Sequence, residues 1–379
     1  MPSHQSQVLV PREAAGADRH SRMRTSCIRV LVAMTIGVVL SAAACAAAQP
    51  GSPAPSPPPP RTSGLPRKVT LGTVISGYAV FSESLEARLS RMDRLVDEMT
   101  EKAPGGRVDL ALLPEGFLGR PGAAMRDMSV GLDEVLPRVS GCAKKNGCYL
   151  VVPLYLADTY PTVHYSNAAM LMDRAGRLVG IYRKVHPVAP QGCNVLENGT
   201  TPGGDFPVFE CDFGRIGIQI CFDMLYPDGW EALARQQAEI VALPSASPET
   251  AYPAMYALLH RYYVVSASPR DHAAVFNPLG VTEAQITQES VLVHQIDLSY
   301  AVLHWEAQLE EGEALRRKYG DRVGFHYYRP EDGGIFWSND PQTPIAEMIA
   351  SLGLVESGPN VERVRRLQDV ARGGPPAMP

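Results

Sequence analysis

Residues 215–223 read RIGIQICFD, an apolar run that reaches Cys221 and is followed by the turn-forming residues YPDG at 226–229. Apolar residues alternate along the run, which predicts a strand that ends near the turn. The thiol of Cys221 is therefore expected at the edge of a sheet. A thiol in that position can act as a nucleophile when a base removes its proton and a cation stabilises the developing negative charge.

Two earlier apolar runs end in charged residues. Residues 110–116 read LALLPEG and place Glu115 after a predicted strand, and residues 178–184 read LVGIYRK and end at Lys184. A single charged residue at a strand end is usually solvent-exposed, and a single cysteine after an apolar run is more often structural than catalytic. The three residue types complement one another chemically, so we predict that Glu115, Lys184 and Cys221 form one active site.

The segments that carry these residues resemble the three signature blocks of the nitrilase, or carbon-nitrogen hydrolase, superfamily. The blocks are LLPE at 112–115, YRKVH at 182–186 and ICFD at 220–223. Shorter stretches between and after the blocks are also similar to the superfamily, namely NAA at 167–169, DRAG at 173–176, TPG at 201–203 and LPSA at 243–246. The resemblance runs from about residue 68 to about residue 354, and the blocks together are specific although each alone is weak.

This resemblance implies the superfamily's α/β fold, a four-layer α-β-β-α sandwich. The pattern along the chain agrees with it, because predicted hairpins alternate with strand–helix units between residues 69 and 266. Such a mixture favours two sheets packed together with helices outside.

The resemblance also implies a mechanism. Glu115 would accept the thiol proton, Cys221 would attack an amide carbon, and Lys184 with the backbone N–H of Phe222 would stabilise the oxyanion. Glu115 would then protonate the leaving amine and activate the water that hydrolyses the thioester. The expected substrate is a small linear amide with a C–N bond outside a peptide backbone, and no metal or other cofactor is needed.

Three further residues are candidates for the site. Glu197 is the candidate for a second carboxylate that supports such sites, but an exposed loop acid is an equally good interpretation. Phe117 and Tyr226 adjoin the signature blocks and are candidates for the substrate pocket, although aromatic residues here are as often part of the core. His260 and Arg261 stand where members of the superfamily commonly have Glu-Asn, so we expect unusual substrate recognition.

The amino-terminal region has the layout of an export signal. Arg22, Arg24 and Arg29 precede the apolar run 30–40, and small residues follow at 41–48. The run is too short for a membrane span, which needs about 20 residues. Lipid attachment at Cys45 is the one membrane association that the sequence leaves open. We predict a signal peptide or lipoprotein signal at 1–48, a proline-rich linker at 49–66, the hydrolase domain at 67–355, and a carboxy-terminal helix and tail at 356–379. The protein is then periplasmic, extracellular or lipid-anchored at the cell surface.

Export affects the expected state of the cysteines, because oxidising compartments favour disulfides. Cys142 and Cys148 flank the short polar segment 143–147, and Cys193 and Cys211 flank the loop that carries Glu197. We predict these two disulfides and a free Cys221. Four buried thiols in a protein that is never oxidised are the alternative.

Composition excludes some functions. The chain has 379 residues, 45% of them hydrophobic and 20% charged, and a net charge of -5. This negative charge argues against nucleic-acid binding and against binding to an anionic membrane. The family resemblance implies a homodimer or larger homo-oligomer. Two alternatives to hydrolysis stay open: acyl transfer through the same thioester, and a non-catalytic binding protein on the same scaffold.

Overall fold

The structure is a computed structural model and describes residues 64–159 and 162–373. The predicted export signal, Cys45 and most of the proline-rich linker lie outside the described residues. The strands are β1 (Lys68–Ile75), β2 (Leu110–Leu112), β3 (Val130–Gly131), β4 (Tyr149–Asp158), β5 (His164–Met172), β6 (Leu178–Arg183), β7 (Val208–Cys211), β8 (Gly214–Ile218), β9 (Ile240–Pro244), β10 (Tyr263–Ala267), β11 (Ala273–Phe276), β12 (Thr282–Ile286), β13 (Ser290–Asp297), β14 (Tyr300–His304), β15 (Val323–Tyr328) and β16 (Gly333–Ser338). The α-helices are α1 (Leu85–Lys102), α2 (Met125–Met128), α3 (Leu132–Asn146), α4 (Pro227–Arg235), α5 (Ala251–His260), α6 (Glu313–Tyr319), α7 (Ile345–Ala350) and α8 (Ser357–Ala371).

Two large sheets organise the described part of the chain. The first has the strand order β13-β1-β2-β4-β5-β6, with β3 paired to β4, and the second has the order β12-β11-β10-β9-β8-β7. Strands β1, β2 and β4 are mutually parallel, as are β8, β9 and β10. A smaller third sheet, β14-β16-β15, follows in the chain.

Three apolar layers hold these sheets and helices together. Residues of α1 and α3, such as Met92 and Val139, pack on the outer face of the first sheet. Leu71 of β1 and Ile218 of β8 belong to the layer between the two sheets. Trp230 of α4 packs in the layer that covers the outer face of the second sheet. The order helix, sheet, sheet, helix confirms the predicted four-layer α-β-β-α sandwich.

The sandwich explains why three strand ends meet. Glu115 lies three residues after β2 and Lys184 follows β6 directly, both in the first sheet. Cys221 lies three residues after β8 in the second sheet. Because the two sheets pack face to face, residues that leave them at the same end come close to one another.

The structure differs from the prediction at residues 143–147, which were expected as a short polar segment between two cysteines. Residues 143–146 are the last turn of α3 and not a loop between two cysteines. Cys142 and Cys148 are buried and free, Cys193 is exposed and free, and Cys211 at the end of β7 is free as well. The prediction of two disulfides was wrong. The last turn of α3 lies between Cys142 and Cys148, and an exposed loop lies between Cys193 and Cys211.

Among residues 64–159 and 162–373, no helix combines the length and the apolar character that a membrane crossing requires.

Candidate active site

Glu115 is buried at the end of the first sheet, and both oxygens of its carboxylate accept hydrogen bonds. Its Oε1 atom accepts hydrogen bonds from Lys184 Nζ at 2.8 Å and from Asn167 Nδ2 at 2.7 Å. Its Oε2 atom accepts one from the backbone N–H of Ala246 at 2.8 Å, and the Cys221 thiol hydrogen-bonds to the same carboxylate. Burial opposes ionisation, but the Lys184 ammonium and these hydrogen bonds outweigh it and hold the pKa of Glu115 below its usual value.

Lys184 joins Glu115 to a second carboxylate. Its Nζ atom lies 3.2 Å from Glu197 Oε1, and its side chain is 1% exposed. Burial alone would lower the pKa of Lys184, yet the negative groups around it, Glu115 first and then Cys221 and Glu197, raise it well above its usual value. Lys184 is therefore a permanent cation in this site.

Glu197 reaches the site from a strained loop. It has a φ of 34°, its neighbour Asn198 has a φ of 59°, and residues other than glycine rarely adopt such values. Burial raises the pKa of Glu197, and the nearby charge of Glu115 adds to this effect against the opposing charge of Lys184. The structure thus brings Glu197 to the cluster and does not leave it as an exposed loop acid.

Asn167 of β5 is a site residue that the sequence alone did not single out. Its Nδ2 group donates to Glu115 Oε1 and to Glu197 Oε1, each at 2.7 Å, and the residue is fully buried. One amide therefore holds two carboxylates side by side. The signal was present in the NAA stretch that resembles the superfamily, but nothing in that stretch reveals which partners the amide binds.

Cys221 opens a 3-10 turn, Cys221–Leu225, and has a φ of 45°. A strained backbone at a sharp turn after a strand presents a side chain away from the sheet, and such strain clusters at functional sites. Burial raises the pKa of the thiol to about 12, and Glu115 contributes in the same direction against Lys184. The thiol hydrogen-bonds to Ser245, and the backbone N–H of Ala246 also contacts it.

These pKa shifts define the resting charges of the cluster. At neutral pH Glu115 is a carboxylate, Lys184 is an ammonium and Cys221 is a neutral thiol. The thiol therefore has a proton acceptor in contact with it and a cation beside that acceptor. This arrangement can transfer a proton from sulfur to a carboxylate as the sulfur forms a bond to carbon.

Asp223, a second residue that sequence reasoning missed, ties the cysteine turn to the lysine segment. Its Oδ2 atom accepts from the backbone N–H of Ile220 at 2.8 Å and from the hydroxyl of Tyr182 at 2.7 Å. Its Oδ1 atom accepts from the backbone N–H of His186 at 2.9 Å and contacts His186 Nδ1 at 3.1 Å. Asp223 is completely buried, so one carboxylate fixes Cys221 and Lys184 relative to each other.

Aromatic rings lie beside this connection. His186 stacks on Tyr226 with ring centroids 4.1 Å apart, and Tyr226 contacts Phe222 edge-on. Tyr226 is exposed and directly follows the cysteine turn, and its place in the substrate pocket stays a prediction. Phe117 is fully buried in the core between the first sheet and its helices. His260 lies on α5, where it stacks on Tyr256.

The family model described as carbon-nitrogen hydrolase matches residues 73–303 of this chain. The chain therefore belongs to the carbon-nitrogen hydrolase family.

Curated relatives share part of this region. A deaminated glutathione amidase from Dictyostelium discoideum is 30% identical over 169 residues, which are 40% of this chain and 57% of the relative. An N-carbamoylputrescine amidase from Arabidopsis thaliana is 29% identical over 194 residues, which are 49% of this chain and 61% of the relative. The chain thus spans about three fifths of the length of these two relatives.

Solved structures share the fold. Saccharomyces cerevisiae Nit3, a member of branch 10 of the nitrilase superfamily, superposes with a TM-score of 0.52 and 20% identity over 68% of this chain and 96% of its own. A carbon-nitrogen hydrolase from Helicobacter pylori gives a TM-score of 0.51 with 20% identity over 67% of this chain and 93% of its own. At this level of identity, the likeness establishes that this chain has the nitrilase fold and nothing finer.

Proposed function

We propose that this protein is an exported thiol-dependent hydrolase of non-peptide C–N bonds, with an amidase-like activity on small linear amides. The observation that carries the proposal is the contact of the Cys221 thiol with the Glu115 carboxylate, which Lys184 also contacts. The amidase names of relatives at about 30% identity support the same substrate class.

In the first half-reaction, Glu115 takes the thiol proton while the sulfur of Cys221 bonds to the amide carbon. The carbonyl π-electrons move to oxygen, where the Lys184 ammonium and the N–H of Phe222 stabilise the negative charge. Glu115 then gives its proton to the amide nitrogen, the C–N bond breaks, and an amine leaves behind a thioester. A neutral resting thiol requires this coupled transfer, because a free thiolate is scarce when the thiol pKa is about 12.

In the second half-reaction, Glu115 takes a proton from water while the water oxygen bonds to the thioester carbon. The C–S bond then breaks, the thiolate recovers a proton from Glu115, and a carboxylic acid is released. Glu197 and Asn167 keep Glu115 in place through both steps, since Asn167 donates to both carboxylates.

The test is ammonia release from a panel of amides, ureido acids and nitriles by the purified protein. Cys221→Ala should abolish turnover, and Cys221→Ser should be nearly as inactive because a hydroxyl ionises much less readily. Cys193→Ala is the matched control, because Cys193 is an exposed cysteine outside the cluster, and it should keep full activity. Residual full activity in Cys221→Ala would contradict the covalent mechanism.

Mass spectrometry with a slow substrate should detect an acyl adduct on Cys221. Product analysis distinguishes hydrolysis from acyl transfer, because a hydrolase forms the carboxylic acid at full rate in water alone, whereas a transferase turns over efficiently only when an acceptor amine is added. Binding of amides without any turnover or adduct would favour the non-catalytic alternative.

Export is part of the proposal, and the arginine, apolar and small-residue layout of residues 22–48 supports it. The full chain expressed in a bacterial host should fractionate outside the cytoplasm. The mass of its amino terminus should show cleavage near residue 48 or a lipid on Cys45. An intact amino terminus in the cytoplasmic fraction would contradict export.

A further inference from the structure

Arg88 is a charged residue on the buried face of α1. It is 1% exposed and shares that face with Met92, Val96 and Met99, at helical spacings of four, four and three residues. The other buried residues of this helix, Leu89, Met92, Val96 and Met99, are apolar. Because a buried charge is costly unless it is well satisfied, the position of this guanidinium calls for a specific set of partners.

Those partners, in the described part of the chain, are backbone carbonyls from two segments. Arg88 donates from Nη2 to Phe81 O at 2.8 Å and from Nε to Glu83 O at 3.2 Å, both in the segment before α1. It donates from Nη1 to Gly116 O at 3.3 Å and to Phe117 O at 3.5 Å. The latter two carbonyls belong to the residues directly after Glu115.

The segment after Glu115 that Arg88 binds contains a sharp turn at Gly116. Gly116 has a φ of 61°, and a side chain there would meet the hydroxyl of Tyr155 at 2.5 Å. The chain thus turns sharply just after the active-site carboxylate, between the end of β2 at Leu112 and the isolated bridge that Leu118 forms with Leu154. A planar guanidinium with several N–H donors can hold two successive carbonyls at once, which an ammonium cannot do with the same geometry.

We propose that Arg88 is a positioning residue for Glu115: by holding the carbonyls of residues 116 and 117 it fixes the direction of the Glu115 carboxylate toward Cys221. The inference rests on the proposed function, in which Glu115 moves the thiol proton. Displacement of a catalytic group by about 1 Å costs up to about 100-fold in rate, so a loosened turn at Gly116 impairs catalysis without a direct contact to substrate.

A double-mutant cycle tests this without any substrate. The rate of alkylation of Cys221 by iodoacetamide is followed by peptide mass spectrometry, with the exposed Cys193 as an internal standard. Glu115→Gln should change the Cys221 rate several-fold, because it removes the proton acceptor. Arg88→Lys should change it in the same direction by about threefold or more in the native background, and should add nothing to Glu115→Gln.

The matched control is Arg91→Lys. Arg91 lies one turn further along α1, is partly exposed, and pairs with the side-chain carboxylate of Glu83. It should leave the Cys221 rate unchanged. Once an amide substrate is in hand, Arg88→Lys should lower kcat about 10- to 100-fold with KM altered less than about threefold, while Arg91→Lys keeps both values.

The outcomes separate the two proposals. A wild-type alkylation rate in Glu115→Gln would overturn the proposed function and this inference together. An effect of Glu115→Gln combined with no effect of Arg88→Lys, or with an equal effect of Arg88→Lys in both backgrounds, would overturn the inference alone. If Arg88→Lys and Arg88→Gln both fail to fold while Arg91→Lys folds, Arg88 supports the fold as a whole, and the specific role proposed here is wrong.

Discussion

Replacing Asp223 by asparagine should weaken both the fold and the site. Asp223 accepts two hydrogen bonds at each carboxylate oxygen, from Ile220 and Tyr182 at one and from the backbone and ring of His186 at the other. An asparagine keeps one oxygen and presents an NH2 group in place of the other. Turned one way, the NH2 group faces the N–H of Ile220 and the hydroxyl of Tyr182; turned the other way, it faces the N–H and the ring of His186, so at least one buried backbone donor faces a donor.

The magnitude follows from that count. A buried donor left unsatisfied costs about 1–3 kcal/mol, so Asp223→Asn should lower the free energy of unfolding by at least about 1–3 kcal/mol. This is a large share of the about 5–15 kcal/mol that stabilises a typical protein. Two milder variants give the scale. Tyr182→Phe removes one of the four donors and should cost about 1 kcal/mol. Asp228→Asn alters an exposed partner 3.4 Å from His186 and should cost less than about 0.5 kcal/mol.

The assay is urea unfolding followed by tryptophan fluorescence, because Trp230 is buried and its Nε1 group donates to the backbone carbonyl of Asp223. The pH dependence adds a second signature. The hydrogen bond to Asp223 raises the pKa of His186, so the stability from this pair is present below the unfolded pKa of about 6.5 and is lost as pH rises through the folded pKa. The stability difference between wild type and Asp223→Asn should therefore be larger near pH 6 than near pH 9. A cost below 1 kcal/mol, or one equal to that of Asp228→Asn, would refute this account of Asp223.

Two further predictions concern the carboxylates and the thiols. Asn167→Leu removes the amide that donates to Glu115 and Glu197, so the pKa of Glu115 should rise toward its usual value. The acidic limb of the pH–activity profile should then move to higher pH. An unshifted limb with a normal kcat would contradict a role of the Asn167 amide in lowering the pKa of Glu115. Titration of native protein with a thiol reagent should modify the exposed Cys193 first. Cys142 and Cys148 should react only after denaturation, because they are buried and burial raises the pKa of their thiols. Recovery of fewer than five thiols from residues 64–373 of unreduced protein would mean that a disulfide forms.

The positions of Glu115, Lys184 and Cys221 were predictable because each ends an apolar run. A buried strand is mostly apolar, so a charged or reactive residue at the end of such a run lies close to where the chain leaves the sheet. The order of the sheets was not needed to find these residues. The order of the sheets is needed to show that the three residues meet. Periodicity does not give this order, and the prediction of one shared site came from their complementary chemistry and from the family resemblance.

The residues that organise the cluster were not predictable in the same way. Asn167 is 52 residues from Glu115, and Asp223 is 37 residues from His186, so no local pattern records either contact. Arg88 sits within a helical apolar face that suggests only packing. Residues 143–147 form a short polar segment, which is typical of a turn, whereas residues 143–146 are the last turn of α3.

The buried cluster also explains why the thiol rests in its neutral form. Lys184 brings one positive charge to a site that already contains the Glu115 carboxylate and the side chain of Glu197, so a resting thiolate would add a further negative charge away from water. Such a charge is costly in a poorly solvated site. If the proton passes from Cys221 to Glu115 as the sulfur attacks, the net charge of the cluster does not change: the carboxylate loses the negative charge that the substrate oxygen gains. The Lys184 ammonium contacts that carboxylate at 2.8 Å, and it can therefore transfer its electrostatic support from the carboxylate to the new oxyanion during the step.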